Sequence, residues 1–307
     1  MEKSYWKPIR DFLDQIEALQ PIDTGVEKQI GRNNNVKACV FDVYGTLLIS
    51  ASGDIDQAEF SDKALRFAFD QADMKLNVPE EERPDILENM LQGFKETVKQ
   101  SHKEKQNEGI PFPEVDFVKM WENVLEKYAE EGIIQFYSES KLRLFTFSFE
   151  LVSNKLYPMP YMHKVLYGLK QQGLPLGIVS NAQFFTPMLM NYFLNDELTE
   201  TTQIPGFEND LVLYSYLIGR SKPDVNLFNE LKYILWNKYG IKAEETLYIG
   251  NDMYNDMYPS DKAGFQTVLF AGDKRSLRWR ENIEDVQQVH PDHIITDLRD
   301  LLTIANS

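Results

Sequence analysis

The chain has 307 residues, a length that points to two domains. Apolar residues make up 43% and charged residues 26%, which places it among globular chains and outside the disordered, collagenous and low-complexity classes. Thirty-two Lys and Arg stand against 48 Asp and Glu, and the net charge of −16 repels nucleic-acid backbones and anionic membrane surfaces.

The first segment, Met1 to Gln20, carries charges throughout and has neither an apolar h-region nor a small-residue cleavage site, so a cytoplasmic protein is expected. Within residues 1–35, Trp6, Ile9, Phe12, Leu13 and Ile16 recur at helical spacing, and a polar turn from Gly31 to Asn35 follows. Ala38-Cys39-Val40-Phe41-Asp42-Val43 is a short apolar run of the kind that forms a strand buried on both faces. A carboxylate, Asp42, stands at its C-terminal end, and Gly45 closes it. Cys39, the single cysteine, excludes an internal disulfide and a multi-cysteine zinc site, fits a reducing compartment and reads as core packing.

From about Ser52 to Leu156 the pattern changes to long charged helices. Val115, Val118, Trp121, Val124, Leu125 and Tyr128 mark one apolar face, and no strand is evident. Leu142 to Leu151 fits both periods and is assigned to a helix on length. Lys95, Lys99, His102, Lys103 and Lys105 read as a solvated helix face, with an anion-attracting rim as the alternative.

After Tyr157-Pro158-Met159-Pro160 a strand and helix rhythm resumes. His163 to Gln172 is predicted helical, Leu174 to Ser180 a strand, Pro187 to Phe193 a helix, Asp210 to Ile218 a strand-like run and Val225 to Tyr239 a helix capped by Gly240. Strands follow at Thr246 to Ile249, Thr267 to Phe270 and His293 to Ile295, then a helix from near Asp297. Gln171 to Asn195 has no charged residue, but its prolines and amides fit a strand, a polar loop and a helix better than a membrane span. Strands alternating with helices imply an α/β fold with a parallel sheet whose ligand site lies at the strands' carboxyl ends. The expected organisation is an N-terminal helical extension over 1–35, a discontinuous core over 36–52 and 156–307, and a helical insertion over 53–155. The four histidines show no ligand spacing and read as surface or capping residues.

Four polar clusters follow predicted strands: Asp42 to Thr46, Ser180-Asn181, Lys222-Pro223-Asp224, and Asp252 with Asp256. Each alone has a structural explanation as a turn, a cap or a solvated helix face. Together the residue types make a site. A carboxylate can act as a nucleophile through a covalent intermediate. Converging carboxylates repel one another unless a cation lies between them, and an oxygen-rich site suits Mg²⁺. Lysine then balances residual charge, while hydroxyls position a transferred group. Asp42, Asp252, Lys222, Ser180 and Thr46 supply these parts.

In that order the clusters resemble the four motifs of the haloacid dehalogenase (HAD) superfamily. Asp42-Val43-Tyr44-Gly45-Thr46-Leu47 is similar to the first motif, Ile178-Val179-Ser180-Asn181 to the second and Lys222-Pro223-Asp224 to the third. Gly250-Asn251-Asp252-Met253-Tyr254-Asn255-Asp256 is similar to the acidic fourth. The resemblance covers about 36–50 and 157–301. It implies a Rossmann-like core with a C1-type helical cap and Asp42 as nucleophile. It further implies Mg²⁺ held by Asp42, the Tyr44 carbonyl and Asp252, with Asp256 touching a metal-bound water or orienting Lys222. Thr46, Ser180 and the Asn181 backbone would receive phosphoryl oxygens.

Two departures point in opposite directions. Phosphatases resembling this chain carry a second Asp two residues after the nucleophile, as a general acid; Tyr44 stands there, as in the 2-haloacid dehalogenases, whose halide leaves unprotonated. Yet Asp252 gives the fourth motif its acidic, phosphatase-like form, and Phe228 replaces the tyrosine that dehalogenases carry six residues after the motif-three lysine. The metal signal outweighs Tyr44. The expectation is an Mg²⁺-dependent phosphatase acting on a small phosphorylated metabolite, without nucleic-acid or membrane partners. The alternatives are a 2-haloacid dehalogenase and a metal-binding regulatory module with little turnover.

Overall fold

The computed structural model describes residues 5–31, 35–52 and 60–306. The expected turn at Gly31 to Asn35 and the start of the expected insertion lie partly outside them. Two compact units emerge: Met1–Glu17 with Asp56–Lys155, and Ala18–Ile55 with Leu156–Ser307. Where the sequence reading has one extension over 1–35, the boundary between units falls at residue 17.

Among its described residues the larger unit holds nine strands: β1 (Gln29–Ile30), β2 (Ala38–Phe41), β3 (Leu48–Ser50), β4 (Leu156–Pro158), β5 (Leu176–Ser180), β6 (Val212–Tyr214), β7 (Thr246–Gly250), β8 (Gln266–Phe270) and β9 (His293–Ile295). Seven form one sheet in the order β1-β9-β8-β7-β2-β5-β6. All its pairings are parallel except β1 with β9. This is the α/β sheet that the sequence predicts. Every residue of β2, β5, β7 and β8 is buried, so the continuous apolar runs reflect burial on both faces. Val40, Val179, Tyr248 and Leu269 belong to a core cluster with Phe228 and Leu231 of helix Val225–Ile234. β3 pairs antiparallel with β4, closing the two ends of the chain from which the helical insertion departs.

Three short strands, β1, β3 and β4, are not among the predicted ones. The strand-like run at Asp210 to Ile218 is corrected: only Val212–Tyr214 is strand. Ser215–Ile218 is a helical turn ended by Gly219 in the left-handed region. The last helix forms at Asp300–Ile304. His293 is also corrected, for it is fully buried in β9 and its Nδ1 accepts the Gly31 N–H at 3.1 Å. Cys39 is buried as expected, and burial pushes its thiol up to about 12. The uncharged stretch 171–195 resolves into β5, a loop and helix Phe185–Asn195. No helix among the described residues is long and apolar enough to cross a membrane.

Residues 18–31 fasten to the sheet edge. The Ile22 N–H donates to Asp273 Oδ1 at 3.1 Å, the Thr24 hydroxyl donates to the Ala271 carbonyl at 2.8 Å, and β1 extends the sheet.

The helical unit contains Lys7–Leu13, Asp62–Gln71, Arg83–Asn107, Phe117–Glu130 and Glu139–Ser153. Ser61, Asp116 and Ser138 accept backbone N–H groups at the starts of the second, fourth and fifth. Trp121 stacks on Phe94 with centroids 4.3 Å apart and meets Phe145 and Phe149 edge-on at 5.2 and 4.9 Å. Trp6 meets Phe147 at 5.7 Å, which ties the first helix to the last. The ambiguous Leu142 to Leu151 segment is helical because nearly every side chain in it is buried, leaving no polar face to betray a period. Among these buried groups is Glu150, whose Oε1 has no hydrogen-bond partner among the described residues; burial pushes its carboxyl up to about 8. Lys95, Lys99 and Lys103 are solvated, whereas His102 and Lys105 are half-buried and Lys105 Nζ donates to the Glu114 carbonyl.

Candidate active site

β2 and β7 are neighbours, with Phe41 opposite Ile249, so their parallel register brings the first and fourth motifs to one edge of the sheet. β5 flanks β2 on the other side and delivers Ser180. Asp42 is buried beside these strand ends. Its Oδ1 accepts the Lys222 ammonium at 2.7 Å and the Ser180 hydroxyl at 3.0 Å. Among the described residues none donates to its Oδ2.

Lys222 is buried and bridges Asp42 to Asp256, whose Oδ1 it meets at 2.6 Å. Against the cost of burial, which alone would lower it, the charges of Asp256 and Asp42 raise the ammonium's pKa. The lysine is therefore a fixed cation between two carboxylates. Asp256 is held at both oxygens: Oδ2 accepts the N–H groups of Asn251 and Asp252 at 3.0 Å each, and the Tyr248 hydroxyl lies 3.0 Å from Oδ1. Burial, with Asp42 and Asp252 nearby, pushes its carboxyl up to about 6 despite the lysine. Asp256 thus reaches Lys222 directly, through Oδ1.

The motif residues also hold one another. The Asn181 side chain clasps the backbone of Lys222, accepting its N–H at 2.7 Å and donating to its carbonyl at 3.3 Å. Thr46 is fully buried and donates to Asn251 Oδ1 at 3.0 Å, joining the first motif to the fourth, and Asn251 in turn donates to the Ser276 carbonyl at 2.7 Å. Gly45 sits at φ +84, where a Cβ would lie 2.5 Å from the Ser276 Cβ; Gly250 leaves room for the Asp256 carboxyl, 2.3 Å from where a Cβ would be. The Tyr44 hydroxyl lies 2.7 Å from Thr186 Oγ1 on helix Phe185–Asn195. Asp224, grouped with the third motif, caps helix Val225–Ile234 by accepting the Asn226 N–H at 2.9 Å.

Asp252 is the exception among the expected metal ligands. Its Oδ1 accepts the N–H groups of Tyr254 and Asn255 at 2.8 and 3.1 Å. Arg280 approaches Oδ2 through Nη2 at 2.7 Å and Nε at 3.1 Å. A divalent cation is fitted by the chemistry of the donors, two carboxylates carried by adjacent strand ends. The obstacle is one side chain, the Arg280 guanidinium. No group of three or more His, Cys, Asp or Glu poised to hold a metal occurs among the described residues.

Tyr248, Ser276 and Arg280 were not legible as site residues. Tyr248 reads as one more apolar position of a buried strand, although the chemistry of a buried phenol requires a polar partner. Ser276 and Arg280 lie outside the motifs, and only the return of the chain after β8 brings them in.

Residues 36–264 match the family model for haloacid dehalogenase-like hydrolases. A glyceraldehyde 3-phosphate phosphatase from Methanocaldococcus jannaschii is 29% identical over 278 residues, covering 89% of this chain and 98% of that protein. Pyrophosphatase PpaX from Oceanobacillus iheyensis is 27% identical over 146 residues, 48% of this chain and 59% of the relative. The 2-haloacid dehalogenase of Pseudomonas syringae pv. Tomato shares the fold at a TM-score of 0.53 and 15% identity, over 88% of this chain and 98% of that structure. The match across 36–264 establishes that the chain, whose four motifs meet at one sheet edge, belongs to the haloacid dehalogenase-like hydrolases.

Proposed function

We propose that the protein is a phosphatase that acts on a small phosphorylated metabolite, assisted by Mg²⁺, through a phosphorylated Asp42. The observation that carries this reading is the Asp42 carboxylate, with Oδ1 fixed by Lys222 and Ser180 and Oδ2 open to attack. The phosphatase names of two curated relatives support it.

Asp42 Oδ2 attacks phosphorus; the new O–P bond forms as the bond to the leaving oxygen breaks. Lys222 stays charged throughout and offsets the negative charge gathering beside Asp42. Water then attacks the acyl phosphate, releasing inorganic phosphate and restoring the carboxylate. When bound, Mg²⁺ held by Asp42, the Tyr44 carbonyl and Asp252 would neutralise phosphoryl oxygens. Thr46 and the Asn181 side chain keep the motifs in register, and Ser180 orients Asp42. Tyr44, whose phenol is engaged with Thr186, is a poor stand-in for a carboxylic acid at neutral pH. The leaving group therefore departs as an oxyanion, which favours acyl or aryl phosphates and diphosphates over alkyl phosphates.

The test is a screen of acyl, aryl and alkyl phosphates and of 2-chloropropionate, each with Mg²⁺ and with chelator. Phosphate release that needs Mg²⁺ and falls as the leaving group becomes more basic is expected. Halide release insensitive to chelator would instead make Tyr44 part of carbon-halogen chemistry, and turnover of none of these would leave the regulatory reading.

A further inference from the structure

The segment that follows β8 runs back along the fourth motif. The Arg278 N–H donates to the Asn251 carbonyl at 3.0 Å and the Met253 N–H donates to the Arg278 carbonyl at 2.9 Å, so the backbone is fastened on both sides of Asp252. Two residues further on, Arg280 turns back and places its guanidinium on the Asp252 carboxylate, with contacts of 2.7 and 3.1 Å to Oδ2 and 3.3 Å to Oδ1. To do so it adopts φ +51, in the left-handed region that disfavours a side chain. The ion pair and the strained backbone thus occur at one residue, and strain of this kind persists only where surrounding contacts hold it.

Charge explains what the contact does. Asp42, Asp252 and Asp256 are all buried, and Lys222 neutralises only the first and third. Arg280 supplies the cation for the second. A divalent ion taking Asp252 as a ligand would need a lone pair that the guanidinium covers, and would then face a positive charge a few ångströms away. The two cations therefore compete for the same carboxylate.

We propose that Arg280 is a resident counter-ion of Asp252 which a divalent cation must displace, so that cation binding and the seating of residues 278–280 are coupled. The coupling rests on the Mg²⁺-assisted reading of the site and deepens it: without the cation the arginine keeps Asp252 neutralised and the motif in place, and with it the arginine is released. Linkage makes the effect reciprocal, because whatever weakens the Arg280 contact strengthens cation binding by the same factor. Lysine at 280 would keep the charge but lose the two-nitrogen grip, giving an intermediate effect.

The experiment is a calorimetric Mg²⁺ titration of the full chain as wild type, Arg280→Gln and Arg280→Lys, with Asp252→Asn as the control that should lose binding. Arg280→Gln should bind Mg²⁺ about 5- to 150-fold more tightly than wild type, the range of typical coupling between sites, with Arg280→Lys between them. In wild type the same titration should change Trp279 emission, and the change should be missing from Trp279→Phe. Equal or weaker Mg²⁺ affinity in Arg280→Gln would overturn the displacement while leaving the metal-assisted reading intact. No Mg²⁺ binding by any of the proteins at millimolar concentration would overturn both. If Arg280→Gln fails to fold, the Lys variant and the Trp279 signal decide: Mg²⁺ binding without either change defeats the proposal.

Discussion

The two units bury their charged groups on opposite terms. In the unit carrying the sheet, Asp42, Lys222, Asp252, Asp256 and Arg280 form ion pairs, and backbone N–H groups or hydroxyls take much of the remaining bonding capacity. In the helical unit, Glu150 lies buried with an oxygen that has no hydrogen-bond partner among the described residues. Burial with a partner keeps a carboxylate charged and usable; burial without one raises its pKa until it holds a proton. Clustered carboxylates can also be neutralised without a metal. Lysine and arginine do most of this here, so the case for Mg²⁺ rests on the oxygen-donor chemistry of Asp42 and Asp252 and on the family rather than on repulsion alone.

The strongest way to break the partnered half of the comparison is Asp42→Asn, which removes the nucleophile while keeping the shape. Phosphate release should fall by at least about 10³-fold with an unchanged far-UV spectrum. Near-wild-type turnover would rule out the covalent route.

Lys222→Met tests the pairing itself. It strands Asp42 and Asp256 in a buried site without their shared cation, and chemical denaturation should show a loss of about 3–5 kcal/mol together with lost activity. A variant as stable as wild type would mean that the carboxylates do not depend on the lysine.

Glu150→Gln sharpens the unpartnered half through pH. Glu150 moves from its ordinary 4.5 to about 8 in the folded chain, so between these values the folded state holds a proton that the unfolded chain has released. Its contribution to stability therefore falls as pH rises from about 5 to about 8, and is level below and above that window. Replacing it with glutamine should flatten this slope and stabilise the protein at pH 8 by on the order of 2–4 kcal/mol. Melting curves across that pH range that run parallel for both proteins would show Glu150 to be ionised in the fold.

The smallest effect is expected at Tyr44→Phe, which removes a hydroxyl whose contact is Thr186 rather than a free end aimed at substrate. Stability should drop by about 1 kcal/mol and the preference for weakly basic leaving groups should stay. A variant that loses alkyl and aryl phosphate turnover alike by more than about 100-fold would assign the phenol to the chemistry itself.

The sequence by itself determined the alternating α/β order and the strand ends where Asp42, Ser180, Asn181, Lys222 and Asp256 stand as candidates, because strand and motif signals are local and fully buried strands read as unbroken apolar runs. It also determined the acidic fourth motif and the tyrosine at 44. Only the tertiary structure decided what each group touches. Parallel pairing of β2 with β7 put Asp42 beside the fourth motif. The Asn181 clasp on Lys222 and the Thr46 contact with Asn251 join residues 41 and 205 positions apart. The division of the N-terminal segment at residue 17 and the burial of Glu150 and His293 depend on neighbours that no window of sequence contains. Arg280 shows the limit most clearly: 28 positions beyond Asp252, its side chain belongs to the site only because the chain after β8 turns back along the motif, and long-range electrostatic pairing leaves no mark on local composition.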